Sequence, residues 1–175
     1  MSKPFVNCCL ILISLFLLPG CGFTLRTAKS LPPQLHQVYY QADNPYGQFE
    51  VVLRRALKAS NVILLATPNA TTPILHVTSS YNYSTTSSIS STEGRVYTLE
   101  YTAIIGIGDA SDKPLLSPQT VRVSRSVTLQ PDEVFETSSQ IEIIKQEMLQ
   151  ELSGKALNIL CAKKTFQAFA KKNVR

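Results

Sequence analysis

Histidine, cysteine and charge are all scarce in this chain, and each shortage removes a class of function. His36 and His76 are the only histidines in 175 residues. Both fall in stretches that read as strands, and neither has an acidic residue at a spacing that would orient it, so no catalytic set is readable. No Cys/His pair has zinc-ligand spacing, and neither a metal nor a cofactor is expected. Gly106-Ile107-Gly108-Asp109 contains GxG, but it ends a strand and leads into a turn, where a dinucleotide fingerprint needs a helix N-terminus. Charged residues are 17% of the chain, with 17 Lys and Arg against 12 Asp and Glu. The basic residues are spread out with no run of like charge, which speaks against a nucleic-acid partner. The length suits one core and excludes a multidomain enzyme. Hydroxyls are what the chain has in excess: 33 Ser and Thr outnumber the charged residues. That is odd for a surface that stays soluble unaided, so part of the surface is expected to be covered.

The N-terminus carries the most informative stretch. After Lys3, residues 5–18 form an uncharged apolar run that stops at Pro19 and Gly20, just before Cys21. A basic start, a short apolar run and a small residue before the cut make residues 1–20 a secretory signal. A membrane span needs roughly 20 apolar residues, more than this run supplies. Leu18-Pro19-Gly20-Cys21 resembles a lipobox, in which the cysteine after the cut is lipid-modified, although Pro19 departs from the commoner small residues there. With Gly rather than Asp at position 22, retention at the inner membrane is not expected. The outer membrane, on its periplasmic side and through lipid on Cys21, is the expected location. Cys8 and Cys9 leave with the signal, so a lipidated Cys21 leaves no pair for a disulfide within the chain, and the fold must rest on its core.

The remainder reads as βαβββα. Residues 36–41 are β-branched and aromatic. Asp43-Asn44-Pro45 then starts a helix whose apolar stripe is Phe49, Val52, Leu53, Ala56 and Leu57, ending at Ser60-Asn61 with Asn as C-cap. Residues 62–65 form a short strand continuation. From 74 to 83 the period changes to two, with Leu75, Val77, Ser79, Tyr81 and Tyr83 on one face. A second such strand spans 97–107, and a third spans 120–129. Turns are expected at Glu93-Gly94-Arg95 and at 109–114. Between the first two, residues 84–92 are hydroxyl-bearing except Ile89 and read as strand tips or a long hairpin loop. Arg125 shares a face with Val123 and Val127, so it either snorkels past the helix edge, the favoured reading, or pairs with a carboxylate such as Glu147. Thr137-Ser138-Ser139 caps a last helix with Ile141, Ile144, Met148, Leu152, Ala156 and Ile159 on its stripe. The basic tail 161–175 reads as a frayed end rather than a helical extension. The fold class is therefore α+β: a two-layer α/β sandwich in which two helices pack on one face of a four-stranded mixed sheet.

Cys21-Gly22-Phe23-Thr24-Leu25-Arg26 resembles the opening CGFxLR of the LptE family of LPS-assembly lipoproteins. Asp43-Asn44-Pro45-Tyr46-Gly47, Glu100-Tyr101, Val123-Ser124-Arg125-Ser126 and Glu147-Met148 follow in the family's order, so the resemblance covers roughly 21–160. It implies a non-enzymatic protein that plugs the lumen of LptD, the outer-membrane β-barrel that inserts lipopolysaccharide into the outer leaflet, and that helps this barrel assemble. A low-charge, hydroxyl-rich surface suits a polar lumen wall. Basic residues that bind lipopolysaccharide in some members fall here near Thr92 and at Thr137, which carry no charge; Arg95 is the candidate substitute for the first. Thr86, Ile89 and Ser91 on the hydroxyl-rich hairpin are the candidate barrel contacts. The alternative is a periplasmic outer-membrane lipoprotein that binds a soluble ligand or a cell-wall enzyme. A lipid-anchored hydrolase is a third class, disfavoured by the missing site.

Overall fold

The computed structural model describes residues 31–88, 95–129 and 134–172, with the backbone path alone at 85–88, 95, 129, 134–138 and 172. The expected signal 1–20, Cys21 and the Glu93-Gly94 part of the first turn lie outside the described residues.

The chain opens with β1 (Gln37–Ala42), which leads into α1 (Gln48–Ala59). Gly47 is the N-cap, with an ordinary φ of −58°. Its lack of a side chain is a matter of space, because a Cβ there would lie 2.0 Å from Glu50 Oε2. Phe49, Leu53 and Leu57 are buried along one stripe of α1. The helix ends as its sequence suggests. Asn61 adopts a left-handed φ of 60°. Its N–H donates to Lys58 O and that of Val62 to Leu57 O, both at 3.0 Å, the paired bonds of a Schellman cap. Val62 and Leu57 are both buried and supply the apolar contact that accompanies this cap.

After that cap the chain returns along the sheet as β2 (Ile63–Leu65), which pairs in parallel with β1. Three long antiparallel strands follow: β3 (Ile74–Ser88), β4 (Arg95–Gly108) and β5 (Pro114–Leu129). The order across the sheet is β2-β1-β3-β4-β5, with β1 parallel to both of its neighbours. The sheet is thus mixed, as expected, but has five strands rather than four. Three residues of periodic pattern cannot announce a strand, and it is pairing with β1 that makes 63–65 one. β5 also starts six residues earlier than its alternation suggests, because Pro114 and Pro118 obscure the pattern; both sit on an edge strand, where a missing N–H is tolerated.

The helices are α1, α2 (Val134–Leu160) and α3 (Lys163–Lys172), so three cover the sheet rather than two. The helical backbone of α2 begins ahead of Thr137, which is therefore not its cap. Residues beyond Leu160, expected as a frayed end, turn at Cys161-Ala162 and continue as α3. Thr165 is buried and its hydroxyl donates to Ile159 O at 2.7 Å. Phe169 is 5% exposed within the core. The basic composition of this segment describes its outer side, while one phenylalanine anchors its inner side. Leu53, Leu99, Ala103, Ile105, Met148, Leu152 and Ala156 are wholly buried between the layers.

Candidate functional site

Alternation gives β3, β4 and β5 two unlike faces. Leu75, Val77, Leu99, Tyr101, Ala103, Ile105, Ile107 and Val123 form the helix-covered face, and all are buried. The opposite face carries cross-strand rows: Thr78, Ile104 and Thr120; Ser80, Thr102 and Arg122; Asn82, Glu100 and Ser124; Ser84, Thr98 and Ser126. Its residues are exposed or half-buried, and most bear a hydroxyl. Glu100 and Arg122 are the charged members of these rows and stand 3.5 Å apart as an ion pair, so they cancel. Part of the hydroxyl excess read from composition therefore lines the open side of the antiparallel strands β3, β4 and β5.

The covered face changes character toward the hairpin tip. On the covered side, core leucine and valine give way toward the β3–β4 tip to Tyr81 and Tyr83, 38% and 45% exposed. The Tyr81 and Tyr101 rings lie 4.5 Å apart, and Tyr83 and Tyr97 stack at 5.0 Å. These aromatic pairs, on neighbouring strands, tie β3 to β4 where helix cover thins toward the tip. Lys145 Nζ lies 5.2 Å from the Tyr81 ring centroid. Tyr101 donates to Gln48 Oε1 at 3.1 Å, and burial, then Tyr81 and Glu142, pushes its phenol up to about 12. Burial, with Glu50 adding to it, also raises Tyr40.

Of the candidate contact residues, Thr86 is the extra residue of a β-bulge in β3, between Thr85 paired with Tyr97 and Ser87 paired with Val96. Arg95 opens β4 opposite Ser88 and Leu129. Thr86 and Arg95 are therefore brought to one end of the sheet, at the outer part of the hairpin. Ile89 and Ser91, like Cys21, lie outside the described residues.

Other pairings escaped the sequence. His76 Nε2 lies 2.7 Å from Asp112 Oδ1. Sequence spacing concealed this partner, because the β4–β5 turn carries Asp112 back over β3 from 36 residues away. Asp112 has a left-handed φ of 62°. Gly108 leaves room for the pair, since a Cβ there would meet Asp112 Oδ1 at 3.0 Å and His76 Nε2 at 3.2 Å. The pair borders a shallow cleft of about 170 Å³ floored by Ile104, Gly106 and Pro118. Thr78, the hydroxyl in that lining, donates to Asp43 at 2.7 Å and is not aimed at the histidine. Arg125 is exposed but paired rather than simply snorkelling, and its carboxylate is the part-exposed Glu151 of α2 and not Glu147. Glu50 is a further surprise: it is 1% exposed, accepts from Ser79 at 2.7 Å through Oε1, and has a buried Oε2 with no partner.

Among the described residues no cluster of His, Cys, Asp and Glu could hold a metal ion, and no helix is long and apolar enough to cross a membrane.

No family model matches the chain. It is 32% identical over 144 residues to the LPS-assembly lipoprotein LptE of Photorhabdus laumondii, a span that covers 81% of this chain and 77% of that one. It is 29% identical over 154 residues to the LPS-assembly lipoprotein LptE of Pectobacterium atrosepticum, covering 84% and 82%. Among solved structures, the solution structure of lipoprotein B from Nitrosomonas europaea superposes with a TM-score of 0.66 at 19% identity, over 84% of this chain and 93% of that one. That likeness is one of fold.

Proposed function

The chain belongs to the family of LPS-assembly lipoproteins LptE, and from that membership we propose that it is an outer-membrane lipoprotein, anchored at Cys21, that plugs the LptD β-barrel, aids its assembly and so serves lipopolysaccharide insertion at the outer leaflet. One observation carries this reading. The outer half of the β3–β4–β5 sheet carries hydroxyls on one face and, on the other, tyrosines of which Tyr81 and Tyr83 stay exposed beside α2, and it has little net charge. In water alone such an extension has little to stabilise it. Against the inner wall of a barrel its hydroxyls exchange hydrogen bonds with a polar surface, without the desolvation cost of burying ions.

The test is photocrosslinking from Thr86, Ile89 and Ser91 at the hairpin, compared with Lys58 on the exposed side of α1. Adducts with LptD are expected from the hairpin and fewer from Lys58. Adducts from Lys58 alone would invert the orientation. An absence of adducts from every position would reject the plug and favour a lipoprotein that binds a soluble ligand or a cell-wall enzyme. Arg95 supplies the expected lipopolysaccharide contact, so Arg95→Ala should weaken that binding in a salt-dependent way and leave barrel capture intact. Mass spectrometry of the mature N-terminus tests the anchor: an unmodified terminus, or one elsewhere than Cys21, removes it.

A further inference from the structure

β5 is an edge of the sheet, and two side-chain bonds show which of its backbone groups face outward. Lys155 Nζ donates to Arg122 O at 3.0 Å. Arg125 Nη1 donates to Ser124 O, also at 3.0 Å. In an antiparallel strand, residues two apart send both backbone groups to the same side. Arg122, Ser124, Ser126 and Thr128 therefore point their N–H and C=O away from β4, and the odd-numbered residues between them complete the ladder with it. Glu151 holds both donors, bonding Lys155 at 3.0 Å and Arg125 as well. The inner stretch of this edge thus has its carbonyls covered by a tethered cationic pair, a recognised way to blunt an edge against strand addition. The cover stops at Ser124. Ser126 and Thr128 are exposed, and none of the side chains described donates to their outward carbonyls.

We infer that the Ser126–Thr128 edge of β5 accepts an extended backbone segment of the barrel partner by strand addition, while Lys155 and Arg125 cover the neighbouring carbonyls of Arg122 and Ser124. Outward N–H and C=O groups recurring about every 6.7 Å match an extended chain in chemistry and in spacing. The stretch lies beside the outer part of the hairpin, continuous with the face on which the proposed function rests, and the inference depends on that reading. Two ladder steps are too few to hold two copies of this chain together. They suit one element of a larger contact.

Amide exchange of the full lipidated chain, alone and co-purified with the barrel, tests the inference. The Ser126 and Thr128 amides should exchange at least about tenfold more slowly in the complex, while Val127, already laddered to Tyr97, stays slow in both. Ser126→Pro and Thr128→Pro remove an outward N–H and spare the ladder, a change that edge strands tolerate. Each should lower barrel capture about tenfold at an unchanged melting temperature. Ser126→Ala and Thr128→Ala remove the hydroxyl and keep the N–H, so they should lose clearly less capture than the proline variants. Equal capture by folded proline variants, or equal loss in the alanine variants, overturns strand addition. If the proline variants do not fold, the exchange rates of the parent decide. A parent that captures the barrel with unchanged Ser126 and Thr128 exchange loses this inference alone, and a parent that captures no barrel loses the proposed function with it. Self-association abolished by Ser126→Pro would put a second copy on the edge and overturn the assignment to the barrel.

Discussion

The inner and outer halves of β3, β4 and β5 share one continuous ladder yet are stabilised by different means. In the inner half, Leu75, Val77, Ala103, Ile105 and Val123 are at most 2% exposed beneath α1 and α2. Burial of apolar area supplies the stabilisation there. In the outer half, Tyr83, Tyr97 and Arg125 replace them, and ring pairs with an ion pair to Glu151 of α2 take over from close-packed aliphatic side chains. The difference shows that the length of a strand need not match the length of its core. Where the ladder outruns the core, its residues are available for contact with something other than their own chain.

Substitutions should separate the two halves, with the largest losses in the inner one. Leu152 is wholly buried, so Leu152→Ala should cost ~2–5 kcal/mol in urea unfolding. A loss under about 1 kcal/mol would mean that α2 lies on the sheet without sealing it. Gly47→Ala drives a methyl into the buried Glu50 carboxylate and should cost about 1–3 kcal/mol. An unaffected melting temperature would show that the Glu50 side chain can move aside.

Beyond the core the effects should shrink. A double-mutant cycle on Tyr83 and Tyr97 should return a coupling of about 0.5–1.5 kcal/mol, and a coupling near zero would show that their stacking does not hold the tip. Alkaline pH acts at the border between the halves. The Tyr101 phenol is raised from 10.0 to about 12 in the folded chain, so its contribution is complete below pH 10 and is lost as pH rises toward 12. Tyr101→Phe should flatten that part of the stability profile. The smallest effect belongs to the edge: Arg125→Ala should change stability by less than about 1 kcal/mol, and less still at high salt. Lys155, then Arg125, holds Glu151 below the usual carboxylate range. The cluster is therefore intact above that range, and acid should dissolve it as pH falls through the lowered value.

Local chemistry made much of this legible in the amino-acid sequence. Period-two alternation marked β3 and β4 and the outer half of β5, and the stripe from Phe49 to Leu57 marked α1. Asn61 marked its end, because few side chains other than glycine enter the left-handed region at low cost. The hydroxyl excess was readable from composition, but not that part of it lines one face of β3, β4 and β5. What the sequence could not disclose were contacts between residues remote along the chain. Three residues became β2 only through pairing with β1, and a basic tail became α3 only because Phe169 found the core. His76 met Asp112, and Arg125 met Glu151 rather than Glu147, because turns and helix phase set which side chains arrive together. The open edge at Ser126 and Thr128 belongs to the same class. Which backbone groups of a strand lack a neighbour depends on its place in the sheet, and that place is decided by packing and not by the residues of the strand itself.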